Sequence, residues 1–93
     1  MTRTILSFCD SKNTDRVFLY DIRTYKENHE FLTICGFDEF LGEDYIRGVE
    51  SEPPFNERKF EELEEAMSYH KAYIQTLKNR KNLIFLQEKT LDN

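Results

Sequence analysis

Thr4-Ile5-Leu6-Ser7-Phe8-Cys9 and Arg16-Val17-Phe18-Leu19-Tyr20-Asp21-Ile22, parted by the polar stretch Asp10-Ser11-Lys12-Asn13-Thr14-Asp15, decide the fold class. Both runs are rich in β-branched and aromatic residues, and the residues between them are turn formers, which is the pattern of a β-hairpin. Alternation places Leu6 and Phe8 on one face of the first strand, and Phe18, Tyr20 and Ile22 on one face of the second. A further polar loop over 24–30 leads to Phe31-Leu32-Thr33-Ile34-Cys35. A three-stranded meander is the simplest arrangement, because antiparallel neighbours need only short connections.

Beyond Gly36 the pattern changes. Phe37, Phe40 and Leu41 stand at i, i+3 and i+4, which predicts one helical turn near residues 37–41 with Gly42 as its C-terminal cap. Tyr45-Ile46-Arg47-Gly48-Val49 reads as a short edge strand or as loop. Pro53-Pro54 interrupts what precedes it. Asn56 then offers an N-cap, with Phe55 and Phe60 spaced as a hydrophobic staple.

From there Phe60, Leu63, Met67, His70, Ile74 and Leu77 alternate steps of three and four, the stripe of an amphipathic helix. Glu57, Glu61 and Glu62 near its start and Lys78, Arg80 and Lys81 near its end suit the helix dipole. A helix of about 24 residues would be roughly 36 Å long. Asn82-Leu83-Ile84-Phe85-Leu86-Gln87 reads as a strand buried on both faces, and Lys89 to Asn93 as a frayed tail. The expected architecture is α+β: an antiparallel sheet of three to five strands, hairpin and meander first and last strand at the C-terminus. One long helix from the C-terminal half packs against it, and residues 1–93 form a single domain without internal boundary.

The chain has 93 residues, 39% hydrophobic and 33% charged, with eight Phe and five Tyr supplying the bulk of a modest core. No apolar run approaches the length of a membrane span, and the first residues have too short an apolar stretch for a signal peptide. Cys9 and Cys35 lack a C-x-x-C arrangement and read as reduced, half-buried strand thiols. Cytoplasmic residence is the expectation, in a host cytoplasm if the chain is phage-encoded.

Charge is unevenly spread. The net charge is −5, and residues 37–65 alone carry eleven acidic groups against three basic ones. The acidic set proposed for partner contact is Asp38, Glu39, Glu43, Asp44, Glu57, Glu61, Glu62, Glu64 and Glu65. Such a surface repels phosphates and attracts basic protein patches, so nucleic acid is disfavoured as a direct ligand and a protein with a basic surface is favoured. The competing reading is a solvated face plus favourable charge at a helix start.

Catalytic and cofactor chemistry find no support in the pattern. Asp38-Glu39 and Glu43-Asp44 lack the ligand spacing of a calcium loop, and neither His29 nor His70 has a second histidine at i+3 or i+4. His70, in the helix stripe, reads as a packing histidine that needs a hydrogen-bond partner. Cys9 and Cys35 read as inert buried thiols, and no serine has a glycine-framed elbow. Gly36, Gly42 and Gly48 do not form a phosphate loop. No catalytic, cofactor or metal residue is assigned.

The expected function is a non-enzymatic binding module, an inhibitor or adaptor that occupies a basic, nucleic-acid-binding site on a partner protein. Phage and mobile-element inhibitors, including anti-CRISPR and DNA-mimic proteins, share this style of composition, an analogy without shared motifs. Two alternatives stand beside it. One is a homodimer built through the helix stripe; the other is single-stranded nucleic-acid binding by Phe18, Tyr20 and Tyr25 near Arg16, Arg23 and Lys26.

Overall fold

A computed structural model describes residues 1–42, 44–49 and 57–92. The opening hairpin forms as its alternation dictates. β1 (Thr2–Asp10) pairs antiparallel with β2 (Arg16–Glu27), Leu6 opposite Tyr20 and Phe8 opposite Phe18. β3 (Glu30–Leu41) returns beside β2 through a tight turn in which Asn28 takes the left-handed conformation, φ 56. Asn tolerates that region better than most side chains do. β4 (Asp44–Val49) then pairs with β3 after Gly42 reverses the chain at φ 60.

β6 (Leu83–Asp92) lies on the other side of β1, so the main sheet runs β4-β3-β2-β1-β6. The three-residue β5 (Arg58–Phe60) pairs with the first part of β3. Among the described residues one helix, α1 (Leu63–Lys78), crosses one face. This is the expected α+β arrangement: meander first, helix in the C-terminal half, last strand at the end.

The core lies between that face and α1. Leu6, Phe8, Phe18, Tyr20, Ile22 and Cys35 from the sheet meet Tyr73 and Leu77 from the helix. Phe8 stands edge-on to Tyr20 with ring centres 5.8 Å apart, and Phe37 packs on Tyr20 at 5.2 Å. Cys9 and Cys35 are both free and buried more deeply than expected. Strand alternation puts them on opposite sides of the sheet.

Four local expectations are corrected. The helical turn expected at residues 37–41 is instead the last part of β3, paired with β2 through Phe37↔Tyr20, Phe40↔Val17 and Leu41↔Arg16. The aromatic contacts of Phe37 with Phe18 and Tyr20 across strands outweigh one isolated turn. The long helix starts at Leu63 with Glu62 as N-cap, so it has 16 residues and spans about 24 Å. Phe60 belongs to β5 opposite Phe31, its ring 5.3 Å from that of Tyr69; the expected cap Asn56 and staple partner Phe55 lie outside the described residues.

β6 is an edge strand, exposed along nearly its whole length rather than buried on both faces. An apolar run alone does not distinguish these two positions. Residues 89–92, expected to fray, continue β6, and Asp92 accepts a hydrogen bond from the Thr2 hydroxyl at 2.9 Å.

Candidate functional site

β5 and the β2–β3 turn bring the start of α1 to one end of the sheet, where Phe31 faces Phe60 and Thr2 lies beside both Thr24 and Asp92. A cleft of about 440 Å³ opens there, lined by Met1, Thr24, Phe31, Leu63, Met67 and Asp92 among others. Leu63 is 51% exposed and Met1 47%, large values for apolar side chains beside a cleft.

Acidic groups crowd the same end. Glu57, Glu61, Glu62, Glu64 and Glu65 are all exposed, on the approach to β5, the bend before α1 and the first helical turn. None forms an ion pair among the described residues, and Glu62 makes no side-chain capping bond. Glu27 and Glu30 flank the adjoining β2–β3 turn. Glu64 and Glu65 also sit favourably against the positive end of the helix dipole.

The remaining acidic residues singled out from sequence stand elsewhere. Asp38, Glu39 and Asp44 belong to the opposite end of β3 and the start of β4. Five residues of strand from Thr33 to Asp38 span roughly 17 Å. Glu39 accepts a hydrogen bond from the Arg16 guanidinium, which also approaches Asp10 at 3.7 Å. Asp38 lies two residues from Gly36 in a separate hollow containing Arg3, Asp21 and Arg23. Asp44 is exposed, and Glu43 lies outside the described residues. The nine carboxylates therefore do not form one continuous face; Glu61, Glu62, Glu64 and Glu65 gather around the helix start, and Glu57 stands at the other end of β5.

In that separate hollow, Asp21 accepts bonds from Arg3 at 2.9 and 2.7 Å and from Arg23 at 2.9 Å. Burial pulls the Asp21 carboxyl upward, but the bonds and charges of the two guanidiniums outweigh it and hold it below its usual range. Gly36 stands opposite Asp21 in the register, leaving the floor of the hollow open.

The helix stripe is divided. Ala66, His70, Tyr73 and Leu77 face the sheet, Ile74 is half-buried, and Leu63 and Met67 turn toward the cleft. Sequence periodicity missed Ala66 and Tyr73, which sit one position away from the chosen stripe and are compatible with the same face at 3.6 residues per turn.

His70 is 1% exposed and bonded at both ring nitrogens, with Thr4 Oγ1 2.8 Å from Nε2 and Thr24 Oγ1 2.8 Å from Nδ1. Thr24 bonds onward to Thr33 at 2.8 Å. Its partners were not legible in sequence, because the three threonines lie on three different strands and meet only in register. Burial pushes the imidazole pKa below its ordinary value. With both nitrogens occupied and no open access, this ring reads as a core clasp.

Among the described residues no group of three or more His, Cys, Asp and Glu is arranged to hold a metal ion, and no helix is long and apolar enough to cross a membrane. Of the candidate base-stacking aromatics, Phe18 and Tyr20 are buried and Tyr25 is half-buried. Comparison with known proteins finds no family, curated protein or solved structure that matches the chain.

Proposed function

We propose that this protein is a non-enzymatic binding module, an inhibitor or adaptor, whose acidic end occupies a basic site on a partner protein. The observation that carries the reading is the gathering of Glu61, Glu62, Glu64 and Glu65, exposed and without ion pairs among the described residues, beside a cleft bearing exposed Leu63 and Met1. Carboxylates supply long-range attraction and orientation, while the apolar side chains supply the water-excluding contact that a tight complex needs at its centre. The partner surface implied is basic, with an apolar side chain to enter the cleft. A basic nucleic-acid-binding site has the required charge, and occupying it would block its natural ligand.

The test is capture of partners from a lysate of the source cell at low and at high salt. Glu61→Lys, Glu62→Lys, Glu64→Lys and Glu65→Lys together are expected to weaken capture about tenfold or more, while the circular dichroism spectrum stays that of the parent. Raising salt should weaken the parent complex in the same direction. Equal capture by the parent and the reversed variant would remove the proposal.

A further inference from the structure

β6 has β1 as its only strand neighbour, so the backbone donors and acceptors of its outer edge have no strand partner among the described residues. Ile84, Phe85, Leu86 and Leu91 on this strand are 44%, 43%, 52% and 37% exposed, four of the seven large apolar residues exposed among those described. Proteins usually blunt such an edge with proline, brevity, charge or a bulge, and of these β6 has Glu88, Lys89 and Asp92 and the irregularity at Leu86. β6 has ten residues and no proline.

The register against β1 shows which side each residue occupies. Phe8 pairs with Phe85 and Ser7 with Gln87, which makes Leu86 an extra, bulged residue. Leu83, Phe85, Glu88, Thr90 and Asp92 therefore lie on the helix side of the sheet, and Ile84, Gln87, Lys89 and Leu91 on the open side.

We propose that the outer edge of β6 pairs antiparallel with β6 of a second copy of this chain, about a two-fold axis through Glu88. In that register Gln87 faces Lys89 of the second copy, and beyond the two bulges Ile84 faces Leu91, Phe85 faces Thr90 and Leu83 faces Asp92. Every pair joins residues from the same side of the sheet. Both bulges are absorbed, and the apolar Ile84 and Leu91 cover one another twice. Lys89 meets a neutral amide rather than its own twin. The axial Glu88 pair is already neutralised, because each Glu88 binds Lys78 of its own chain at 2.7 Å. An isologous contact of this kind closes on itself, so it ends the edge instead of propagating a fibre. The surface meets the acidic cleft at Asp92, and the inference does not rest on the proposed function.

Glu88→Cys tests the register directly. Directly opposed residues in an antiparallel pair have Cα atoms about 4.5–5.5 Å apart, within disulfide reach. Under mild oxidation Glu88→Cys is expected to give a covalent dimer in most of the protein, whereas Thr90→Cys, which faces Phe85, gives little. Sedimentation should show the parent as a dimer at micromolar concentration and Leu91→Lys, which puts a charge against Ile84 twice, as a folded monomer. A parent that sediments as a monomer at a hundred micromolar would overturn the proposal. So would a dimer in which Glu88→Cys cross-links no better than Thr90→Cys, since the contact would then lie elsewhere.

Discussion

His70→Ala is expected to destabilise the protein by about 3–5 kcal/mol, removing a packed ring and stranding hydroxyls in one step. The ring touches Thr4 and Thr24 on two strands from a residue of the helix, so its loss loosens the sheet–helix contact at the end where the acidic cleft lies. Chemical denaturation measures the loss; a change below about 1 kcal/mol would show that water restores what the ring supplied.

Acidification should act on the same clasp. Because burial lowers the native pKa below the 6.5 of the free side chain, the unfolded chain binds the proton first as pH falls. Its stabilising contribution is complete above pH 6.5 and declines as pH drops from there through the native value. The slope cannot exceed about 1.4 kcal/mol per pH unit for one group. Denaturation midpoints at pH 7.5 and 5 should therefore differ in the parent, and differ less in His70→Gln, which carries no titrating proton. An equal difference in both would assign the acid sensitivity to other groups.

Phe8→Ala is expected to cost about 3–5 kcal/mol, a large part of the roughly 5–14 kcal/mol expected for a domain of this size. Phe8 is fully buried, edge-on to Tyr20 and 5.8 Å from the ring of Phe85. Phe85, its neighbour across the β1–β6 pair, is 43% exposed, so Phe85→Ala should cost far less, about 1 kcal/mol. Thermal or urea unfolding of the two variants gives the comparison. Comparable losses would mean that Phe85 is covered in solution, as pairing along the outer edge of β6 would cover it, and repeating the measurement at lower protein concentration separates the two cases.

The hairpin, the meander and the paired faces of Leu6, Phe8, Phe18, Tyr20 and Ile22 were legible because period two and polar turns are local signals. The end of β3 was not. Phe37, Phe40 and Leu41 satisfy a helical spacing, and only the alignment of Phe37 with Tyr20 across two strands decides against it. Phe60 misled for a related reason: it continues the helical stripe by number but pairs with Phe31, a residue remote in the chain. The edge position of β6 had no sequence signal at all, since an apolar run looks the same with one strand neighbour or two.

The candidate site was half legible. Counting charge located the acidic stretch, but β3 carries Asp38 and Glu39 away from the helix start while the bend before α1 and its first turn keep Glu61, Glu62, Glu64 and Glu65 together. The cleft beside them draws on Met1, Phe31, Leu63 and Asp92 from four separate parts of the chain, which no window of sequence displays.

β1 takes its two neighbours from opposite ends of the polypeptide: Thr2 lies beside Thr24 and also beside Asp92. During synthesis the first partner emerges almost at once, whereas the second leaves the ribosome only after the helix. The nascent chain therefore holds a completed meander with one raw flank until β6 arrives, and closing that long sequence separation costs more chain entropy than closing the opening hairpin. A chaperone that shields an exposed strand flank would find its substrate in that interval.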